Sequence, residues 1–231
     1  YAQAAKMLGK TQDPDTGDEE PLGIGLIPFG VSSWFGPLHF IFEYRSIPEG
    51  RFEFSYWNRL YEIERVSFLR NNSNQVVLRT KESQLGKFGD QNGYFSRVSL
   101  DVGAFFEANM AYNNMVGSLW SNDDKKFILE KNQTFLTSLK LTKSISRIQS
   151  ASAFYQQRNV PNPFKFNYTE STIIGCRLGI SMGQGLVLNY IFRRTFRDYN
   201  ANGRIDGNAE TIDITSIAVS YTHLRAHETT P

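Results

Sequence analysis

Apolar residues recur at every second position through most of the chain. Leu38, Phe40, Phe42 and Tyr44 share one phase against His39, Glu43 and Arg45. Phe52, Phe54 and Tyr56 alternate with Glu53 and Ser55, with Arg59 further along in the same opposing phase. A longer run, Val98, Leu100, Val102, Ala104, Phe106, Ala108, Met110 and Tyr112, keeps step against Arg97, Asp101, Glu107 and Asn109. Ile174, Cys176, Leu178, Ile180 and Met182 oppose Arg177, while Leu186, Leu188, Tyr190 and Phe192 oppose Asn189 and Arg193. Side chains of a strand alternate between two faces, so period two predicts an all-β chain. Strands are expected at 22–31, 37–46, 51–66, 93–102, 104–113, 135–143, 148–157, 172–182, 185–197 and 209–222, about ten in all. Only Tyr1 to Lys10 reads as helical, and it leads into a polar Asp/Gly/Pro loop. The chain thus divides into a short helix and loop over 1–21 and a β-domain over 22–222.

The joins between these strands alternate in length. Ile47-Pro48-Glu49-Gly50, the turn near Gly103, Ser144 to Ser146 and Gly183-Gln184 are short, whereas Ser67 to Asn92, Asn114 to Thr134, Arg158 to Ser171 and Asp198 to Asn208 are long and polar. Tight turns on one side and elaborated loops on the other, with strands near ten residues, predict an antiparallel up-and-down transmembrane β-barrel. In hydrocarbon every backbone amide needs a partner, so a spanning sheet closes on itself and shows one face to lipid and the other to the lumen. Tyr44, Tyr94, Tyr112, Tyr155 and Tyr190 fall in the outward phase, several near strand ends where an aromatic belt would lie. Arg194 and Asp213 run against this pattern, because both fall in the lipid-facing phase. A soluble sandwich or soluble barrel shares period two and is the alternative.

Composition narrows the picture without naming a task. Among 231 residues, 25 Lys and Arg against 23 Asp and Glu leave a net charge of +2 with no basic stripe, which argues against a nucleic-acid partner. The single Cys176 excludes an internal disulfide framework and sits in an apolar phase, as a buried or lipid-facing thiol would. Pro21 to Phe42 carries no charge, but its prolines and glycines break any helix that would span a bilayer there. A mean hydropathy of −0.39 is compatible with a barrel. The C-terminal segment from Val219, reading VSYTHLRAHET, is similar to translated sequencing adaptor; residues 219–231 are therefore read as a non-native tail, and His223 and His227, despite their spacing, are not taken as metal ligands.

With these features the sequence resembles the bacterial outer-membrane β-barrel proteins, porin-like in the broad sense. The loop-like segments Tyr155-Gln156-Gln157-Arg158-Asn159, Pro161-Asn162-Pro163-Phe164 and Arg197-Asp198 leading to Asn202-Gly203-Arg204-Ile205-Asp206 add to the pattern. Such barrels end in a strand with a terminal aromatic; Ile217, Val219 and Tyr221 supply the alternation, and His223 stands where the aromatic is expected. The resemblance implies an outer-membrane location, membrane lipid as a partner, passive passage of small solutes and no enzymatic role. Two other classes stay open: a non-conducting interaction or adhesion barrel, and a soluble β-domain that binds a ligand in its interior.

Candidate sites follow from the phase assignment. Arg45, Arg59, Arg97, Lys140, Arg177, Arg193 and Arg197 are expected in the same lumen as Glu43, Glu53, Asp101 and Glu107. Charges confined there have to be paired or hydrated. Asp198, Asn200, Asn202, Arg204 and Asp206 fall at alternate positions of a loop with Gly203 at the sharp turn, which imitates a calcium loop. Ala209 occupies the position of the closing acid and Glu210 comes one residue late, so an Asn/Gly-rich turn capping its own backbone is the competing reading. Calcium is the one cofactor considered. No phosphate loop or nucleophile elbow appears, and His39, the histidine outside the tail, is expected to be structural.

Overall fold

The computed structural model describes residues 1–58, 61, 65–70, 76–122, 124–200 and 204–221. Arg59, Asn202, Gly203, His223 and His227 lie outside the described residues. The strands are β1 (Gln3–Lys6), β2 (Lys10–Gln12), β3 (Glu19–Pro21), β4 (Ile24–Phe35), β5 (Leu38–Ile47), β6 (Val66–Arg70), β7 (Val76–Thr80), β8 (Phe88–Val102), β9 (Phe106–Ser121), β10 (Lys126–Leu141), β11 (Ile148–Val160), β12 (Thr172–Gly183), β13 (Leu186–Phe196) and β14 (Thr211–Tyr221). Ten of them form one antiparallel sheet in the order β1-β4-β5-β8-β9-β10-β11-β12-β13-β14, and β2-β3 and β6-β7 are separate hairpins. The chain is therefore all-β and up-and-down. With ten strands in one sheet, it does not form the two-layer sandwich that shares its periodicity.

The structure departs from several of these expectations. Residues 1–10 are not helical: Gln3–Lys6 pairs with Ile27–Ile24 of β4. A segment of that length cannot hold an isolated helix, and the edge of β4 offers it a ladder instead. The strand expected over 51–66 is not formed by its described part, 51–58. Arg51 and Ser55 adopt left-handed backbone (φ 52° and 61°), which ends any extended run. The segment is tied to the sheet end through Gly23 N–H to Arg51 O and Arg51 N–H to Phe88 O. Finally, 114–134 is not a long loop. β9 and β10 continue through it as a hairpin, with Asn114 opposite Gln133 and Ser121 opposite Lys126. Polar side chains diluted the alternation there, but a ladder is made by backbone and tolerates them. The stretches expected as loop before residue 21 and over 67–92 also hold strands, the hairpins β2-β3 and β6-β7 and the start of β8, because backbone pairing does not need alternating apolar side chains. The other strands of the large sheet fall within about five residues of their expected places, and Val219, Ser220 and Tyr221 of the supposed tail pair with Leu188, Val187 and Leu186.

Segments 36–37, 103–105, 142–147 and 184–185 turn at one end of the sheet. At the other end 48–87, 161–171 and 197–210 are long and 122–125 is tight. β1, with 4 residues, and β14, with 11, are the two edges, and no ladder joins them among the described residues. Register fixes two faces. Glu43, Phe95 and Asn113 are successive partners across β5, β8 and β9, and Thr134 continues the row on β10. This is the inner face, on which Phe52 and Phe54 of the 48–58 segment pack. Among the described residues, 14 apolar and 15 polar or charged residues are buried, so the interior is not a conventional apolar core. Its apolar part is two small clusters, Leu22/Tyr56/Leu85 and Ile47/Phe52/Met115.

Candidate functional site

The interior is built where the 48–58 segment crosses the inner face. Phe52 lies over Gly25, where a Cβ would collide with its ring, and meets Phe54 edge-on at 5.1 Å. Glu53, between them, carries its carboxylate into a buried pocket of cations: Arg158 of β11 donates to it and the Lys81 ammonium lies 3.7 Å away. Lys81 also donates to the Tyr56 carbonyl at 2.8 Å. Burial, reinforced by nearby Tyr61, Glu82 and Glu53, pushes the Tyr56 hydroxyl up to about 12. Glu53 thus reaches the interior as expected, though from an irregular segment rather than from a strand.

A second ion pair sits on β5. Arg45 donates to Glu43 through Nε at 2.8 Å and Nη2 at 2.6 Å, and through Nη1 to Asn113 Oδ1 at 3.2 Å. Its guanidinium lies 3.9 Å above the Phe95 ring and 4.7 Å from that of Phe54. Tyr1 closes the group, with its ring over Gly30 and its hydroxyl donating to Glu43 at 2.6 Å. Burial and that carboxylate raise the Tyr1 hydroxyl to about 12.

Between the segment and the sheet remains a cavity of about 500 Å³, lined by Phe52, Phe54, Trp57, Phe88 and Phe95 together with Gln91, Arg97, Asn132 and Gln156. The Gln91 amide nitrogen and the Asn132 amide oxygen are buried there without a hydrogen-bond partner among the described residues.

The remaining expected charges spread over the inner face. Arg97 lines the cavity, Arg177 donates to Asn189 at 3.1 Å, and Arg193 stands opposite Ile214. Toward the tight turns Glu107 faces both Asp101 and Lys140 and accepts from Asn109 at 2.8 Å. Arg197 departs from the set: it follows β13 and lies 3.3 Å from Glu170 of another connection, both half-exposed. Of the proposed calcium ligands, Asp198, Asn200, Arg204 and Asp206 fall in the described part of the connection after β13, where much of the bonding is to backbone. Glu210, buried at 4% exposure, accepts from Tyr199 N–H at 3.1 Å and Asp206 N–H at 2.6 Å, and Asn200 donates to Asp206 at 3.3 Å. No three His, Cys, Asp or Glu groups converge for a metal among the described residues.

The outer face has the opposite character. From the Tyr94 level to the tight turns its side chains are uncharged: Phe29, Val31 and Phe35 on β4, Tyr94, Val98, Leu100 and Val102 on β8, Ile174 to Met182 on β12, Ile217 to Tyr221 on β14. Many are open, Met182 at 65% and Ile217 at 70%. Near the other end rings run strand to strand, with Phe42 next to Tyr94, Tyr94 next to Tyr112 and Phe135 next to Tyr155 at about 6 Å. The 161–171 connection folds Phe164 onto Tyr112, Phe166 onto Tyr155 and Tyr168 onto Phe196. At this level the two anomalous charges meet: Arg194 and Asp213 are register partners joined by two 2.7 Å hydrogen bonds.

Sequence reasoning missed Gln91, Asn132 and Arg158 because each lay in a stretch read as loop. Their signal was present as polar residues in the inward phase at the ends of strands. No protein-family model matches this chain, no curated protein matches it in sequence, and no solved structure matches its fold.

Proposed function

We propose that the chain forms the wall of a bacterial outer-membrane β-barrel that passes small solutes passively. The observation that carries the reading is the inversion of its faces. The outer face presents an uncharged band bounded by a row of rings, while ion pairs and amides occupy the inner face. From Tyr94 to Val102 the band follows nine residues of β8, at the lower end of the roughly nine to eleven that a tilted spanning strand needs. A water-facing sheet would place these residues where they lose the hydrophobic contribution of burial. An open sheet edge cannot sit in hydrocarbon, so the reading requires both edges of the sheet, β1 with β4 and β14, to be paired in the membrane.

Refolding into detergent micelles tests it. The expected result is a β-rich circular dichroism spectrum and a gel mobility that changes on heating; a stable, monodisperse protein in plain buffer would overturn the membrane reading. In a planar bilayer the folded protein is expected to conduct with weak anion preference that fades with salt, since the inner face carries a basic excess. Arg97→Glu with Arg177→Glu is expected to reverse that preference. The Glu53–Arg158–Lys81 and Glu43–Arg45 groups, which narrow the interior, favour a second reading, a non-conducting interaction barrel. A correctly folded barrel without conductance selects it.

A further inference from the structure

We propose that the interior cavity is a binding site for an acidic sugar of about two rings. The strongest observation is its pair of orphaned amides. Gln91 on β8 is 2% exposed and Asn132 on β10 is 7% exposed; the Nε2 donor of one and the Oδ1 acceptor of the other have no partner among the described residues. Buried polar groups in folded proteins are nearly always satisfied, so a donor and an acceptor left open on one cavity call for a ligand that supplies partners to both. Hydroxyls, which donate and accept alike, are the simplest groups that serve both.

The chain makes specific room for this arrangement. Gln91 crosses β9 at Gly117, where a Cβ would overlap the Asp90 carbonyl and lie 2.6 Å from the Gln91 Cα. A water satisfies one such pair, but the space is about 500 Å³, far more than the roughly 30 Å³ share of one water. Phe52, Phe88 and Trp57 contribute ring surface to its walls, which suits the C–H faces of a pyranose. Arg97 lines the same cavity and has no acidic partner among the described residues, while the carboxylates nearby, Glu43 and Glu53, are held by Arg45, Arg158 and Lys81. A guanidinium open to the cavity selects a carboxylate on the ligand. Gln91 and Arg97 stand six residues apart on one strand, about 20 Å between backbones at 3.3 Å per residue, so a ligand touching both ends is longer than one ring. This inference rests on the cavity and not on passage through a membrane.

The test is isothermal calorimetry on the detergent-folded full chain with three probes: cellobiouronate, its neutral counterpart cellobiose, and biphenyl-4-carboxylate, an anion of similar length without hydroxyls. Cellobiouronate is expected to bind, and both comparators to bind about tenfold more weakly or not at all. Gln91→Leu with Asn132→Leu is expected to weaken cellobiouronate about tenfold or more without lowering the thermal midpoint, because each change removes an unsatisfied buried group. Arg97→Met is expected to erase the preference for the acid over cellobiose. Failure of all three probes overturns the proposal, as does equal binding of the biphenyl acid or of cellobiose. Because calorimetry is read on folded protein without a bilayer, it can fail while conductance persists, and the reverse.

Discussion

The pairing of Arg194 with Asp213 shows how one residue's cost depends on its neighbour in register. Either side chain alone would bring a charge to an otherwise uncharged face, yet the two stand directly opposite and exchange two 2.7 Å hydrogen bonds at the level of the aromatic row. Arg194→Leu and Asp213→Leu are each expected to lower the thermal midpoint of the detergent-folded protein more than the double replacement does, because each single change strands one charge. Equal or additive losses would mean that the pair does not act as a unit. The tyrosines of the interior make a second residue-scale prediction. Tyr1 and Tyr56 keep their protons up to about 12, whereas an unfolded chain releases them near 10. Between these values the folded state binds more protons than the unfolded one, so stability is complete below about 10 and declines as pH rises toward about 12. Tyr1→Phe with Tyr56→Phe is expected to flatten that decline in urea titrations across this range.

Among the elements, the 48–58 segment does most to distinguish this molecule from a bare sheet. It leaves β5, turns through left-handed Arg51 and Ser55, and sets Glu53 among buried cations. Glu53→Gln removes the carboxylate that Arg158 and Lys81 share and is expected to cost about 3–5 kcal/mol, measured by denaturant unfolding in detergent. Replacing all three with apolar residues of similar volume is expected to restore most of that loss, which separates an unpaired charge from lost packing. The loop after β13 poses a parallel question. Glu210 supplies its carboxylate to two backbone N–H groups, so Glu210→Ala is expected to speed proteolysis between Asp198 and Asp206. The calcium reading is tested beside it: added at about 1 mM, the range of extracellular-type sites, calcium is expected to slow cleavage of the parent if the loop binds it. An unchanged rate removes that reading.

At the scale of the whole molecule, faces and polarity were legible in the chain, whereas connectivity was legible only in part. Alternation is a local property, because period two assigns a residue to a face whatever strand lies beside it. Phe42, Tyr94, Tyr112 and Tyr155 were placed outward, and Glu43, Arg45, Arg97 and Arg177 inward, from their own neighbours in sequence alone. The all-β class followed from the same pattern. Boundaries failed where polar residues continue a ladder, as at Asn113-Asn114 and Asn132-Gln133, since hydrophobic periodicity registers side chains while pairing is made by backbone. The apolar run expected as a strand from 51 failed for the opposite reason: Phe52 and Tyr56, with partly buried Phe54 between, have strand spacing but are held by tertiary packing on Gly25, Met115 and Leu85. Gln3–Lys6 took the tenth place in the sheet because β4 had a free edge to offer, a fact outside those residues. The sequence by itself thus determined which residues are outward and which inward. Only the tertiary structure decided which inward charges pair, that Arg194 meets Asp213, and that Gln91 and Asn132 are left open on one cavity, because those outcomes depend on register between strands distant in sequence.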